Sequence, residues 1–244
     1  MITNSATEIK IQTREHYLDV LKGIAMLGVL FVHYFPSGNH DLDVIQNMGS
    51  RCPQLFFIVS AFLTWKVLDN VVDYKLFYKK RFIRIAPLYY ISLLFALLLP
   101  TVTIYTHSLL DYIAHITFLN GLIPFWSNNI MHVEWYIADL SLLYFLTPFL
   151  KKIAYDMRSS VIALLISTLI SSISLILCNH LFSEQMALYP SWEMFLHTFF
   201  ILNQLPIWLM GVVFFYVVKD CKKVTWGGGG ISCTNINNYG NFSI

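Results

Sequence analysis

The chain has 244 residues, of which 57% are apolar, 16% aromatic and only 12% charged. This charged fraction is about half that of an ordinary soluble domain, which excludes a disordered chain and leaves too little polar surface for a water-facing exterior. The net charge of +2 and the lack of any nucleic-acid-binding motif argue against a DNA or RNA partner. We therefore expect an integral membrane protein.

The membrane part lies between a short polar N-terminal segment, 1–17, and a Gly- and Asn-rich tail, 219–244, which we expect to be flexible. Six stretches within it are long and apolar enough to cross a bilayer: 18–35, 52–68, 85–105, 131–150, 160–182 and 195–218. Because these stretches are too long for membrane strands and show no alternation, the predicted fold is all-α, a polytopic membrane bundle of six to seven helices over 18–218.

A seventh stretch, 109–126, is interrupted by ionisable residues and a proline, and the distribution of lysine and arginine decides how it is read. If it does not cross, 14 of the 16 basic residues lie on the side of the N-terminus, leaving Arg51 outside and Lys22 within the first span. If it crosses, that bias disappears. We therefore predict a re-entrant or interfacial segment and a cytoplasmic N-terminus.

The first span carries three ionisable residues, which are costly in a membrane and suggest a function. At 100° per residue, Lys22 and His33 lie about 20° apart around the helix axis and Asp19 and His33 about 40° apart, so all three share one face. Gly23 and Gly28 would allow close helix approach. Two interpretations remain open: a functional face, or an Asp19–Lys22 ion pair at one helix end with His33 at the outer interface.

Two further clusters have the same ambiguity. Arg81 and Arg84 share a helix face beside an apolar run, where arginine could bind phosphate through its planar fork or could only fix the topology.

His132, Trp135 and Asp139 follow a helical spacing that excludes Glu134, and they form either a functional face or a buried polar one. No CxxC, HxxxH or HExxH motif occurs, so we predict no metal site and expect the remaining histidines to be interfacial or in loops.

These motifs occur in a recognisable order: YLDVLKGIAMLGVLFVHY at 17–34, GSRCPQLFFIVSAFLTW at 49–65, RFIRIAPLYY at 81–90, and HVEWYIADLSLLYFLTP at 132–148. NQLPIWLMGVVFFYVV follows at 203–218. Together they resemble the acyltransferase-3 family of bacterial integral-membrane O-acyltransferases over about 15–220. This sequence departs from the family pattern at some positions, such as Lys22, where the family usually has arginine. The family's chains are also longer, with about ten spans, which suggests that this chain is truncated at its C-terminus.

The resemblance implies a function and roles for particular residues. The family transfers an acyl group, often acetyl, from acyl-CoA to a hydroxyl of a surface glycan or a lipid-linked saccharide in the bacterial inner membrane. His33 would be catalytic and Arg81 and Arg84 would bind the donor, with Asp19, Lys22, Glu134, Trp135 and Asp139 as supporting polar residues. Acyl-CoA would be a substrate, and no permanently bound cofactor is expected. The alternatives are a non-enzymatic carrier or flippase and an inactive truncated acyltransferase.

Overall fold

The computed structural model describes residues 16–34, 40–69, 73–98, 108–131, 133–227 and 230–235. Ten α-helices in the described residues run in chain order as α1 (His16–Tyr34), α2 (His40–Gly49), α3 (Cys52–Leu68), α4 (Tyr74–Leu98), α5 (Leu109–Ile116), α6 (Trp135–Ile153), α7 (Met157–Leu181), α8 (Ser183–Leu188), α9 (Pro190–Met194) and α10 (Ile201–Asp220). A 3₁₀ turn covers Asn120–Leu122, and a π turn covers Phe195–Phe199.

The predicted helical membrane fold is confirmed. Each predicted span overlaps an α-helix, and three segments are both long and apolar enough to cross a membrane: His16–Tyr34, Met157–Leu181 and Pro190–Asp220. The predicted number of six to seven spans stays a prediction. The structure adds two features that the sequence does not predict. The helix of the predicted span 85–105 begins earlier, at Tyr74, and so includes the basic stretch before residue 85. The tail 219–244 contains an antiparallel hairpin of β1 (Cys221–Gly227) and β2 (Gly230–Asn235).

The segment predicted to be re-entrant or interfacial is not one continuous helix. It begins with α5, whose eight residues extend about 12 Å, far less than the ~30 Å of a bilayer core. A capping box starts this helix, because Ser108 and Asp111 hydrogen-bond each other's backbone N–H groups. The chain then continues through the 3₁₀ turn and further turns to α6. Its form suits a segment that does not cross as a regular helix.

The chain divides into two compact units, and the first is Met1–Phe56. Here α1 contacts α2, and glycines allow the close approach of α1 to the end of α2 and to the first residue of α3. A Cβ on Gly28 would overlap Cys52, and a Cβ on Gly49 would come within 2.7 Å of both the Gly28 carbonyl oxygen and a Val32 methyl group. The expected role of Gly28 in close helix approach is confirmed. Nothing among the described residues lies within 4 Å of the Cβ position of Gly23, so the same expectation for Gly23 stays a prediction.

The second unit is Phe57–Ile244, and its core is aromatic. Tyr144 of α6 packs edge-on against Trp208 of α10 with ring centroids 5.5 Å apart, and Trp208 is fully buried. Helix α10 also approaches the backbone of α3, where a Cβ on Gly211 would overlap the Ile58 carbonyl oxygen. The Ala154 carbonyl after α6 accepts hydrogen bonds from the Trp65 indole and the Tyr216 hydroxyl, both at 3.2 Å. Helices α3, α6 and α10 are thereby held together.

Candidate active site

Three of the predicted site residues lie on α1, within the first unit. The helix is continuous over 19 residues, so the predicted common face of Asp19, Lys22 and His33 exists, with His33 in the last turn. Lys22 Nζ lies 3.9 Å from Asp19 Oδ1, and the two side chains are 37% and 39% exposed. The His33 side chain is exposed. Fourteen residues at 1.5 Å separate Asp19 from His33 by about 21 Å, so the ion pair does not orient the imidazole.

Arg81 of α4, in the second unit, is held by its neighbours in a half-buried position. Its Nη2 donates a hydrogen bond to the buried Thr64 Oγ1 at 3.1 Å. Its guanidinium carbon lies 4.8 Å from the centroid of the Tyr144 ring and 5.3 Å from that of Phe77. Cation–π contacts of this kind restrain a guanidinium and leave its edge N–H groups directed outward from the ring.

Arg84 differs from Arg81 although the two share a helix face. Its side chain is exposed, one turn further along α4. The spacing predicts that the two arginines are equivalent. In the structure, Arg81 is held against α3 and α6, whereas Arg84 is accessible. An ordinary topology anchor needs no partners, so the contacts of Arg81 go beyond what that role requires.

Glu134 makes the most extensive hydrogen bonds of the predicted site residues. Its carboxylate is buried and accepts hydrogen bonds from the backbone N–H groups of Ile130, Met131 and Val133, at 2.6–3.1 Å. The His115 Nε2 lies 3.7 Å from Glu134 Oε1 and 3.0 Å from Asn129 Oδ1. Because a buried carboxylate requires such compensation, Glu134 fixes the turn that leads into α6.

Asp139 and Trp135 lie on α6 as predicted, and both are buried. The Trp135 ring stacks on Phe199 with centroids 4.5 Å apart. Neither carboxylate oxygen of Asp139 has a hydrogen-bond partner within the described part of the chain. The 3₁₀ turn packs on this position, since a Cβ on Gly121 would lie 3.2 Å from Asp139 Oδ1. His132, the third residue of the predicted face, lies outside the described residues.

The sequence predicts His115 at a membrane interface or in a loop rather than as a metal ligand, and the loop alternative is wrong because His115 lies on helix α5. Its side chain is fully buried on α5 and contacts Glu134 and Asn129. The sequence contains a sign of this burial. His115 is one of the polar residues that make the apolar stretch 109–126 unsuitable for contact with lipid. Its partners lie 14 and 19 positions away, a separation that no local pattern connects. No group of His, Cys, Asp and Glu that could bind a metal occurs among the described residues.

Comparison with known proteins identifies the family. The model of the acyltransferase-3 family, described as an acyltransferase domain, matches residues 15–233. The chain is also 26% identical over 210 residues to a protein of the Acidianus two-tailed virus named "Putative acetyltransferase ORF330". This alignment covers 84% of the chain and 58% of the viral protein, so the chain spans somewhat more than half the length of that relative.

No solved structure matches the chain significantly. The family match includes both the His33 and the Arg81–Arg84 motifs and extends from the start of α1 into the hairpin. The chain therefore belongs to the acyltransferase-3 family of membrane acyltransferases.

Proposed function

We propose that this protein is a membrane acyltransferase that moves an acyl group, most simply acetyl, from acyl-CoA to a hydroxyl of a surface glycan or lipid-linked saccharide. The observation that carries the proposal is the family match over residues 15–233, which includes His33 and both arginines. The viral relative, whose name is "Putative acetyltransferase ORF330", supports acetyl as the group transferred. The family resemblance supports a bacterial inner membrane as the location, and the lysine and arginine distribution supports a cytoplasmic N-terminus.

The donor would be bound through Arg81 and Arg84. A guanidinium has five N–H donors in a planar fork that suits phosphate oxygens. Arg81 is already oriented by Thr64 and the Tyr144 ring, so it loses little conformational entropy when it binds a phosphate. Arg84 is exposed and would supply a second charge from the same helix face.

His33 would act as the general base, because histidine is the side chain that most often takes this role in enzymes. The acceptor hydroxyl oxygen attacks the thioester carbonyl carbon while its proton passes to an imidazole nitrogen. The tetrahedral intermediate then collapses, the carbon–sulfur bond breaks, and the CoA thiolate takes the proton from the imidazolium. The products are an ester and free CoA, and no acylated histidine is required.

Mass spectrometry of surface glycans from cells with and without the gene tests this proposal. We expect a glycan that carries the mass increment of an acetyl group only in cells that express the protein. Altered amounts of a glycan at the surface, with no covalent change, would instead support the carrier alternative and contradict acyl transfer.

A further inference from the structure

A cavity of about 580 Å³ lies in the second unit, where the N-terminal end of α7 meets the C-terminal end of α10. Four of its lining residues are charged: Asp156, Arg158, Lys219 and Asp220. The segments that contain these ends are two of the three long and apolar enough to cross a membrane, so the cavity lies at the level where such helices leave the hydrocarbon. None of its residues belongs to the proposed transfer site.

The charges that line the cavity are balanced, and two of them are already engaged. Asp156 caps α7 by accepting a hydrogen bond from the Ser159 backbone N–H at 2.7 Å. Hydrogen bonding with the Ser159 side chain, and then with its backbone N–H, lowers the pKa of the Asp156 carboxyl. Lys219 Nζ contacts Asp69 at 2.8 Å. The side chains of Arg158 and Asp220 are both exposed. The charge of Arg158 also acts on the neighbouring Asp156 carboxyl. One cation and one anion are thus accessible to a ligand at the cavity wall.

The cavity continues into an apolar surface. Ile162, in its wall, begins a stripe on α7 that includes Leu165, 65% exposed, and Leu169, 60% exposed. These positions follow the helical spacing that places side chains on one face. Tyr155 at the opening is 67% exposed and is the type of residue that occupies the membrane–water boundary. A ligand that fills the cavity would therefore have a charged head and an apolar chain.

We propose that this cavity binds the headgroup of a zwitterionic phospholipid of the phosphoethanolamine type. Its phosphate pairs with Arg158, its ammonium pairs with Asp220, and its acyl chains lie along the α7 stripe. The phosphate of acyl-CoA has the same chemistry, but CoA has no ammonium group to pair with Asp220. An anionic lipid also lacks an ammonium group, so it would leave the carboxylate charge of Asp220 uncompensated and would be repelled by it.

Lipid titration of the purified protein in mild detergent tests this assignment, with binding of individual lipids followed by native mass spectrometry. The probes are phosphatidylethanolamine, phosphatidylglycerol with the same acyl chains, and acetyl-CoA as a competitor. We expect phosphatidylethanolamine to bind at least tenfold more tightly than phosphatidylglycerol. Arg158→Gln should weaken binding of both lipids roughly tenfold or more, as expected for loss of a charge-assisted hydrogen bond.

Asp220→Asn provides the sharper test, because it should weaken phosphatidylethanolamine binding and strengthen phosphatidylglycerol binding. Lys152→Gln removes an exposed cation outside the cavity lining and should change neither affinity. Equal affinities for the two lipids, or full binding by Arg158→Gln, would overturn the proposal. Displacement of the lipid by acetyl-CoA would assign the cavity to the donor instead. The readout is binding alone, so it is independent of acyl transfer.

Discussion

At the scale of single residues, the two arginines of the RxxR motif have different environments. Arg81 is held between Thr64 and the Tyr144 ring, whereas Arg84 is exposed. A lysine in place of either arginine keeps the charge but loses the planar fork. The effects of Arg-to-Lys substitutions therefore separate a phosphate-binding role from a topological one.

We expect the double variant Arg81→Lys, Arg84→Lys to insert normally and to bind acetyl-CoA about 10- to 150-fold more weakly, because each lost charge-assisted bond is worth about 1.5–3 kcal/mol. Isothermal titration calorimetry in detergent measures the affinity. Arg51→Lys, an exposed arginine outside the motif, is the control and should have no effect. Unchanged donor affinity in the double variant would leave both arginines as topology anchors.

Glu134 provides a second residue-scale prediction. Glu134→Gln replaces one acceptor oxygen with an NH₂ group that faces backbone N–H groups in a buried turn, so donors are left unsatisfied. We expect the free energy of unfolding to fall by about 2–4 kcal/mol, measured by denaturant titration in detergent.

Glu184→Gln serves as the matched control, because Glu184 is exposed on the short helix α8. This variant should be as stable as the parent protein. A Glu134→Gln protein of parental stability would show that the carboxylate does not fix the turn before α6.

At the scale of helices, the sequence predicts most of what is observed. The positions of the apolar runs predict every long helix in the described residues, because length and composition determine which segments can cross a bilayer. Their ends were less accurate: α4 begins at Tyr74, well before the apolar run, since its basic first turns are helical without being apolar. The contact between His115 and Glu134 could not be predicted, because it depends on how the broken segment after α5 folds back on α6.

Close packing of α3 and α10 gives a prediction at this scale. A Cβ on Gly211 would lie 2.8 Å from the Ala61 Cβ and would also overlap the Ile58 carbonyl, and backbone atoms cannot rotate away. We expect Gly211→Ala to lower the free energy of unfolding by roughly 1–3 kcal/mol, the usual cost of overpacking, as measured by denaturant titration.

Gly23→Ala is the matched control for this substitution. Gly23 is also inside a helix, but its Cβ position has no described atom within 4 Å. Alanine there should be neutral or stabilising, because it has the higher helix propensity. If both variants had the same stability, close approach at Gly211 would not be a constraint on the packing.

At the scale of the whole molecule, the orientation in the membrane is a prediction from the lysine and arginine distribution. Single cysteines at Lys75 and Asn47, in a background without the native cysteines, report it through labelling by a membrane-impermeant maleimide. We expect Asn47→Cys to react in intact cells and Lys75→Cys to react only after permeabilisation. The opposite pattern would invert the topology and place the basic segment of α4 outside.

The central claim, that the protein transfers an acyl group with His33 as the base, is tested most directly by an assay in proteoliposomes. Isotopically labelled acetyl-CoA and a glycan acceptor are supplied to the parent protein, His33→Gln and His180→Gln. His180 is the control because it is also an exposed histidine in the last turn of a helix. We expect His33→Gln to lower transfer about 10²- to 10⁴-fold, with His180→Gln unaffected. Parental transfer by His33→Gln would contradict the account.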